Sequence, residues 1–217
     1  MPGPIENILF LILGWLFGLF SPLIVGTIQR RREAEEVRST ILRELDELRF
    51  QLASAVYLID CNQGTSSRSS LEWVKSHLSE LIDKEGVSKT IDAITQMLRL
   101  SDENIELVVQ SARAKPESTP ALKTYGTPIL VSRFSTLNYL DKKLQSSLVE
   151  IHLRLNLLNQ TVEDYRKYFD LTFDKDPEME NERRIFSNLI LSLRTFRQQA
   201  IRISDSIKDV RSLVGSG

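Results

Sequence analysis

The chain has two histidines, His77 and His152, and one cysteine, Cys61, so few side chains can serve as nucleophile, proton relay or soft metal ligand. The histidines lie far apart, and neither belongs to an H-E-x-x-H helix or sits one turn from a second ligand, the spacing that puts two donors on one metal. Both are expected at surface or edge positions. Cys61 has no histidine or second cysteine beside it to draw off its proton, so it reads as a buried or half-buried structural residue. Acids gather at Asp170, Asp174, Asp176, Glu178, Glu180 and Glu182, but a calcium loop needs a glycine at its turn, and no glycine lies between Gly126 and Gly215. These acids fit better beside the positive end of a helix that starts among them. Tyr57, Tyr165, Tyr168, Phe169 and Phe173 could line a ligand pocket, although helical spacing assigns most of them to a core. The residues after 28 hold no Gly-rich phosphate loop and no G-x-S-x-G elbow. The sequence thus predicts no catalytic residue, no cofactor and no metal ligand.

The one remaining motif lies in the run ILFLILGWLFGLFSPLIVGTI from Ile8 to Ile28, which carries no charge. Its 21 residues would rise roughly 31 Å as a helix, close to the ~30 Å hydrocarbon thickness of a bilayer, and predict a single transmembrane helix. Gly14 and Gly18 form G-x-x-x-G, and Pro22 and Gly26 continue the four-residue spacing, a face along which a second helix could pack closely. The residues before the run include one acid and no Lys or Arg, whereas Arg30, Arg31 and Arg32 follow it. This asymmetry argues against a cleaved signal peptide and for a signal anchor, with residues 1–7 outside and residues 29–214 in the cytoplasm as one domain, then a tail at 215–217. Arg30, Arg31 and Arg32 can also sit among anionic headgroups, making membrane lipid a partner. Cytoplasmic placement agrees with a lone cysteine that cannot form an internal disulfide.

With 28 Lys and Arg against 29 Asp and Glu the net charge is −1, which offers no basic field for nucleic acid. About 189 residues remain after the apolar run, within the usual size of one domain.

Those residues read as helix throughout. No proline occurs between Pro22 and Pro116 and no glycine between Gly26 and Gly64, so one helix can run from the membrane to about Cys61. Ile41, Leu45, Leu48, Leu52, Ala55 and Ile59 form its apolar stripe, with Arg43, Glu44, Asp46 and Glu47 on other faces. Ser69 with Glu72 has the form of a capping box for a second helix; Ser88 and Ser101 can cap two more. The segment 115–128 contains Pro116, Pro120, Gly126 and Pro128 and predicts a long loop. A short amphipathic helix should follow from Pro128. Leu144, Leu148, Ile151, Leu155, Leu158, Val162, Tyr165 and Phe169 then alternate spacings of four and three. So do Phe186, Leu189, Leu193, Phe196, Ala200, Ile203, Ile207, Val210 and Val214 in a final helix, for which Asp176 and Pro177 supply the N-cap and first position. Two such helices joined by a short turn fold back as an antiparallel hairpin. The fold class expected is all-α: one N-terminal transmembrane helix followed by an elongated antiparallel bundle. The function that fits is a non-enzymatic interaction protein at the inner face of a plasma membrane. The competing expectation is an oligomeric effector whose anchors assemble through Gly14, Gly18 and Gly26 and perturb the bilayer.

Overall fold

A computed structural model describes residues 4–81, 87–113, 120–173 and 179–215; the side chains of 4–14, 16–24, 30, 31, 81, 179, 180 and 215 lie outside that description. The described residues are mostly helical and include no strand: α1 Pro4–Gln63, α2 Arg68–Leu78, α3 Val87–Met97, α4 Asp102–Ser111, α5 Pro128–Ser132, α6 Lys142–Leu171 and α7 Met179–Gly215, with 3₁₀ turns at Ser79–Leu81 and Phe134–Tyr139.

α1 is a single helix of 60 residues, unbroken across Pro22, and it joins the apolar run directly to the bundle. It ends where Gly64 takes φ +67, a conformation that costs a residue without Cβ nothing. The Thr65 N–H reaches the Asp60 carbonyl and the Gly64 N–H the Cys61 carbonyl, the paired bonds that close a helix C-terminus.

α6 and α7 pack as the expected hairpin, and α1 lies along α7 as the third long member. Every stripe residue of α6 from Leu144 to Tyr165 is buried, as is the α7 stripe from Leu189 to Val210; Phe169, Phe186 and Val214 are half-buried at the ends. The α1 stripe is wider than expected: Val56 is fully buried where Ala55 is only half-buried, and Leu42, Arg49, Ala53 and Asp60 form a second buried row. A helix flanked on two sides, by α7 and by α2, needs two rows.

Asp46 and Asp60 of α1 pair with Arg211 and Arg197 of α7, and Thr161 of α6 donates to Gln199 of α7. Both α1 and α6 therefore run antiparallel to α7 and parallel to each other. Ala34, Arg38, Asp141, Lys143 and Val214 line one cavity of about 290 Å³, so the α6 N-terminus and the α7 C-terminus lie at the end of the bundle nearest the apolar run.

Local chemistry shifts several expected boundaries. Ser67, not Ser69, caps α2, in a reciprocal box with Ser70. Ser88 lies inside α3, which is already helical at Val87, whereas Ser101 caps α4 as expected. Asp141 caps α6 by accepting from the Lys143 and Leu144 N–H groups. Residues 120–127 are irregular but held: Asn159 accepts from the Tyr125 N–H and donates to its carbonyl at 2.9 and 2.7 Å. Glu44, expected on an outer face, reaches across to α5 and accepts from the Ile129 and Leu130 N–H groups at 2.7 and 2.8 Å, satisfying the open donors of that short helix. Asp176 and Pro177 lie outside the described residues.

Candidate functional site

The residues expected from the sequence to meet a membrane come first in the chain. Helix α1 runs through residues 8–28, but most side chains of that run lie outside the described residues, Gly14, Gly18, Arg30 and Arg31 among them. Among the described residues, no helix is long and apolar enough to cross a membrane. A Cβ placed on Gly26 would meet nothing within 4 Å, and Arg32 is exposed.

His77 departs most from its expected place. Rather than lying at a surface it is 1% exposed, because α2 lies across the groove between α1 and α7. Its Nε2 is 3.1 Å from Asp205 Oδ1, and the Trp73 indole N–H donates to the same oxygen at 2.9 Å. An ionised carboxylate can only accept, which assigns the His77 proton to Nε2 and leaves Nδ1 as a buried acceptor without a partner. Burial holds the imidazole below its usual pKa, and Arg49 and Lys208 push the same way against the opposing pull of Asp205. The resting state is neutral.

Beside this pair Arg49 is 1% exposed. It bonds Glu80 at 2.7 Å and lies 3.9 Å from Asp46, while its Nε and Nη1 have no partner. Ser204, adjacent in sequence to Asp205, is fully buried and its hydroxyl is also unpartnered. Ser204, His77 and Asp205 have the side-chain types of a hydrolase triad but not its connections, since a triad requires the serine hydroxyl on the imidazole and open to substrate. What the arrangement does is pin α2 to α1 and α7 through polar groups.

The other candidates have similarly local roles. Cys61 is half-buried as expected; burial pushes its thiol up, and it neighbours Tyr57, whose hydroxyl is pushed up to about 12 by burial and by that thiol. Both shifts oppose nucleophile chemistry at neutral pH. His152 is half-buried, with Phe134 edge-on at 5.1 Å and Asn156 at 3.2 Å. Of the aromatics, Tyr165 is core and donates to the Pro120 carbonyl, whereas Phe173 is 70% exposed. A cleft of about 700 Å³ opens between the α1–α2 turn and α4. Its one arginine, Arg68, is engaged with the Leu98 and Leu100 carbonyls and Asp102. Among the described residues no group of three His, Cys, Asp or Glu could hold a metal.

The surface itself offers the strongest feature. Val149, Leu153 and Leu157 follow one another at four-residue spacing along α6 and are 39, 57 and 54% exposed. Exposed Lys142 and Lys143 precede them; exposed Glu163 and Asp164 follow. The three residues are present in the sequence as an apolar row at four-residue spacing, but periodicity does not tell which of two apolar faces of α6 is covered. In comparisons with known proteins no family model, no curated protein and no solved structure matches the chain.

Proposed function

We propose that the chain is a membrane-anchored, non-enzymatic helical-bundle protein that acts by protein–protein contact at the inner face of a plasma membrane. The observation that carries this reading is the continuity of α1, which joins the charge-free run 8–28 to the bundle with no intervening linker. A run of that length has few stable environments other than a bilayer, and Arg30, Arg31 and Arg32 behind it orient the bundle toward the cytoplasm. The exposed apolar row on α6 supplies a contact surface, and the buried polar seam around His77 supplies rigidity without access for a substrate.

A reporter active only in the cytoplasm, fused after residue 217, should give signal, and fused before Met1 should give none. The reverse pattern would overturn the orientation. The effector reading draws on the open approach to Gly26 and the four-residue spacing from Gly14 and Gly18. On that reading Gly14→Ile with Gly18→Ile abolishes activity while insertion persists, whereas on the anchor reading the double variant behaves like the natural chain.

A further inference from the structure

The charges flanking the outer row of α6 have opposite signs at its two ends: Lys142 and Lys143 before it, Glu163 and Asp164 after it, all exposed. If a second α6 lies antiparallel with Leu153 opposite Leu153, residues equally distant from Leu153 on either side face one another. Val149 then meets Leu157 and Lys142 meets Asp164 on the contact line, while Lys143 and Glu163 add their charges at the same two levels on its flanks. In the parallel arrangement lysines would face lysines and acids would face acids, which like-charge repulsion disfavours. Among the described residues Asp164 pairs with exposed Lys167, a bond too weak to compete strongly.

We infer that the partner of this surface is a second copy of the same chain, docked antiparallel through the outer face of α6. The inference rests on the membrane-anchored reading and gives it a geometry. Because α6 runs parallel to α1, an antiparallel pair points its two apolar runs in opposite directions, so the two copies stand in two facing bilayers and not side by side in one. The registers of Asp46 with Arg211, Asp60 with Arg197 and Thr161 with Gln199 place Arg30 some 20 helical residues below Leu153. Each bilayer surface is then about 30 Å from the two-fold axis, and the surfaces face each other across about 60 Å. The hairpin tip of each copy, with exposed Leu171 and Phe173, reaches the surface that anchors the other. Paired over residues 142–164, about 35 Å of helix, one contact is smaller than the ~800 Å² per partner of a standard interface. A single pair is weak, and many pairs between two membranes act together.

The test reconstitutes the full chain into two differently labelled populations of phosphatidylcholine vesicles and follows clustering by light scattering, with flotation to establish incorporation. Vesicles carrying the natural chain should cluster. K142E/K143E vesicles and E163K/D164K vesicles should each cluster at least tenfold less, and mixing the two populations should restore clustering. In a Cys61→Ser background, Leu153→Cys should form a disulfide with its own kind, whereas Ser146→Cys should link to Gln160→Cys and not to itself. The inference is overturned if incorporated natural chain leaves vesicles dispersed, if both charge variants cluster as well as the natural chain, or if Ser146→Cys links to itself. A chain that does not float with lipid overturns the anchored reading instead, and the cysteine pairs then decide the pairing in solution.

Discussion

Asp60 and Arg197 meet edge to edge across the α1–α7 contact, with Nε to Oδ1 at 2.5 Å and Nη2 to Oδ2 at 2.9 Å. The carboxylate is 1% exposed and also accepts from the Thr65 hydroxyl, so one residue fixes the end of α1, the turn into α2 and the register of α7. The guanidinium gains from the pairing, its pKa being raised chiefly by the hydrogen bond to Asp60.

Arg197→Ala should therefore strand a buried charge, with a cost of about 3 kcal/mol, toward the low end for breaking such a pair because the arginine is partly exposed. Adding Asp60→Asn should recover part of that loss by removing the charge. Urea unfolding of the three variants checks it, and an Arg197→Ala protein as stable as the natural one would contradict the assignment.

His77 gives the bundle a pH dependence of definite sign. Its folded pKa lies below the usual histidine value, so the unfolded chain binds the proton more tightly. Stability is full above about pH 6.5 and falls as the pH drops from there toward the folded pKa. Asp205, Arg49 and Lys208 are the charged groups that set this balance. His77→Gln should flatten the decline below about pH 6.5, measured as unfolding free energy against pH. An unchanged slope in that variant would assign the decline to other groups.

How much of this was legible depends on whether burial is decided locally. Leu155 lies between Ile151 and Leu158, and Phe196 between Leu193 and Ala200, each at alternating spacings of three and four, and that periodicity alone implies the hairpin and its inward faces. Arg49, Asp60 and His77 gave no such signal. A lone charge on a helix reads as solvated unless its partner is known, and the partner of Asp60 lies 137 residues away. The shift from Ser69 to Ser67 as the α2 cap has a similar cause: consecutive serines offer several equivalent caps, and the Gly64 turn selects among them. Glu44 reads from sequence as outward-facing because the short helix it caps comes 85 residues later. The apolar row at Val149, Leu153 and Leu157 is visible as residues, but only the packing of α6 shows that all three stay exposed among the described residues.

The three long stripes can bury one another without lipid, so residues 30–217 should fold alone as a strongly helical protein with a cooperative melt by circular dichroism. Leu155, 1% exposed at the middle of its stripe, is the sharpest probe. Leu155→Asp should abolish the cooperative melt, since an unpaired buried carboxylate costs several kcal/mol against a total stability of ~5–15. A fragment that needs detergent to stay folded would show that the bundle depends on the membrane.

The proposed anchoring of the bundle to a bilayer by residues 8–28 is measured directly by flotation after an alkaline carbonate wash. The full chain should remain with the lipid through the wash and float, while residues 30–217, washed in the same way, should stay at the bottom of the gradient. Release of the full chain by carbonate would contradict that anchoring.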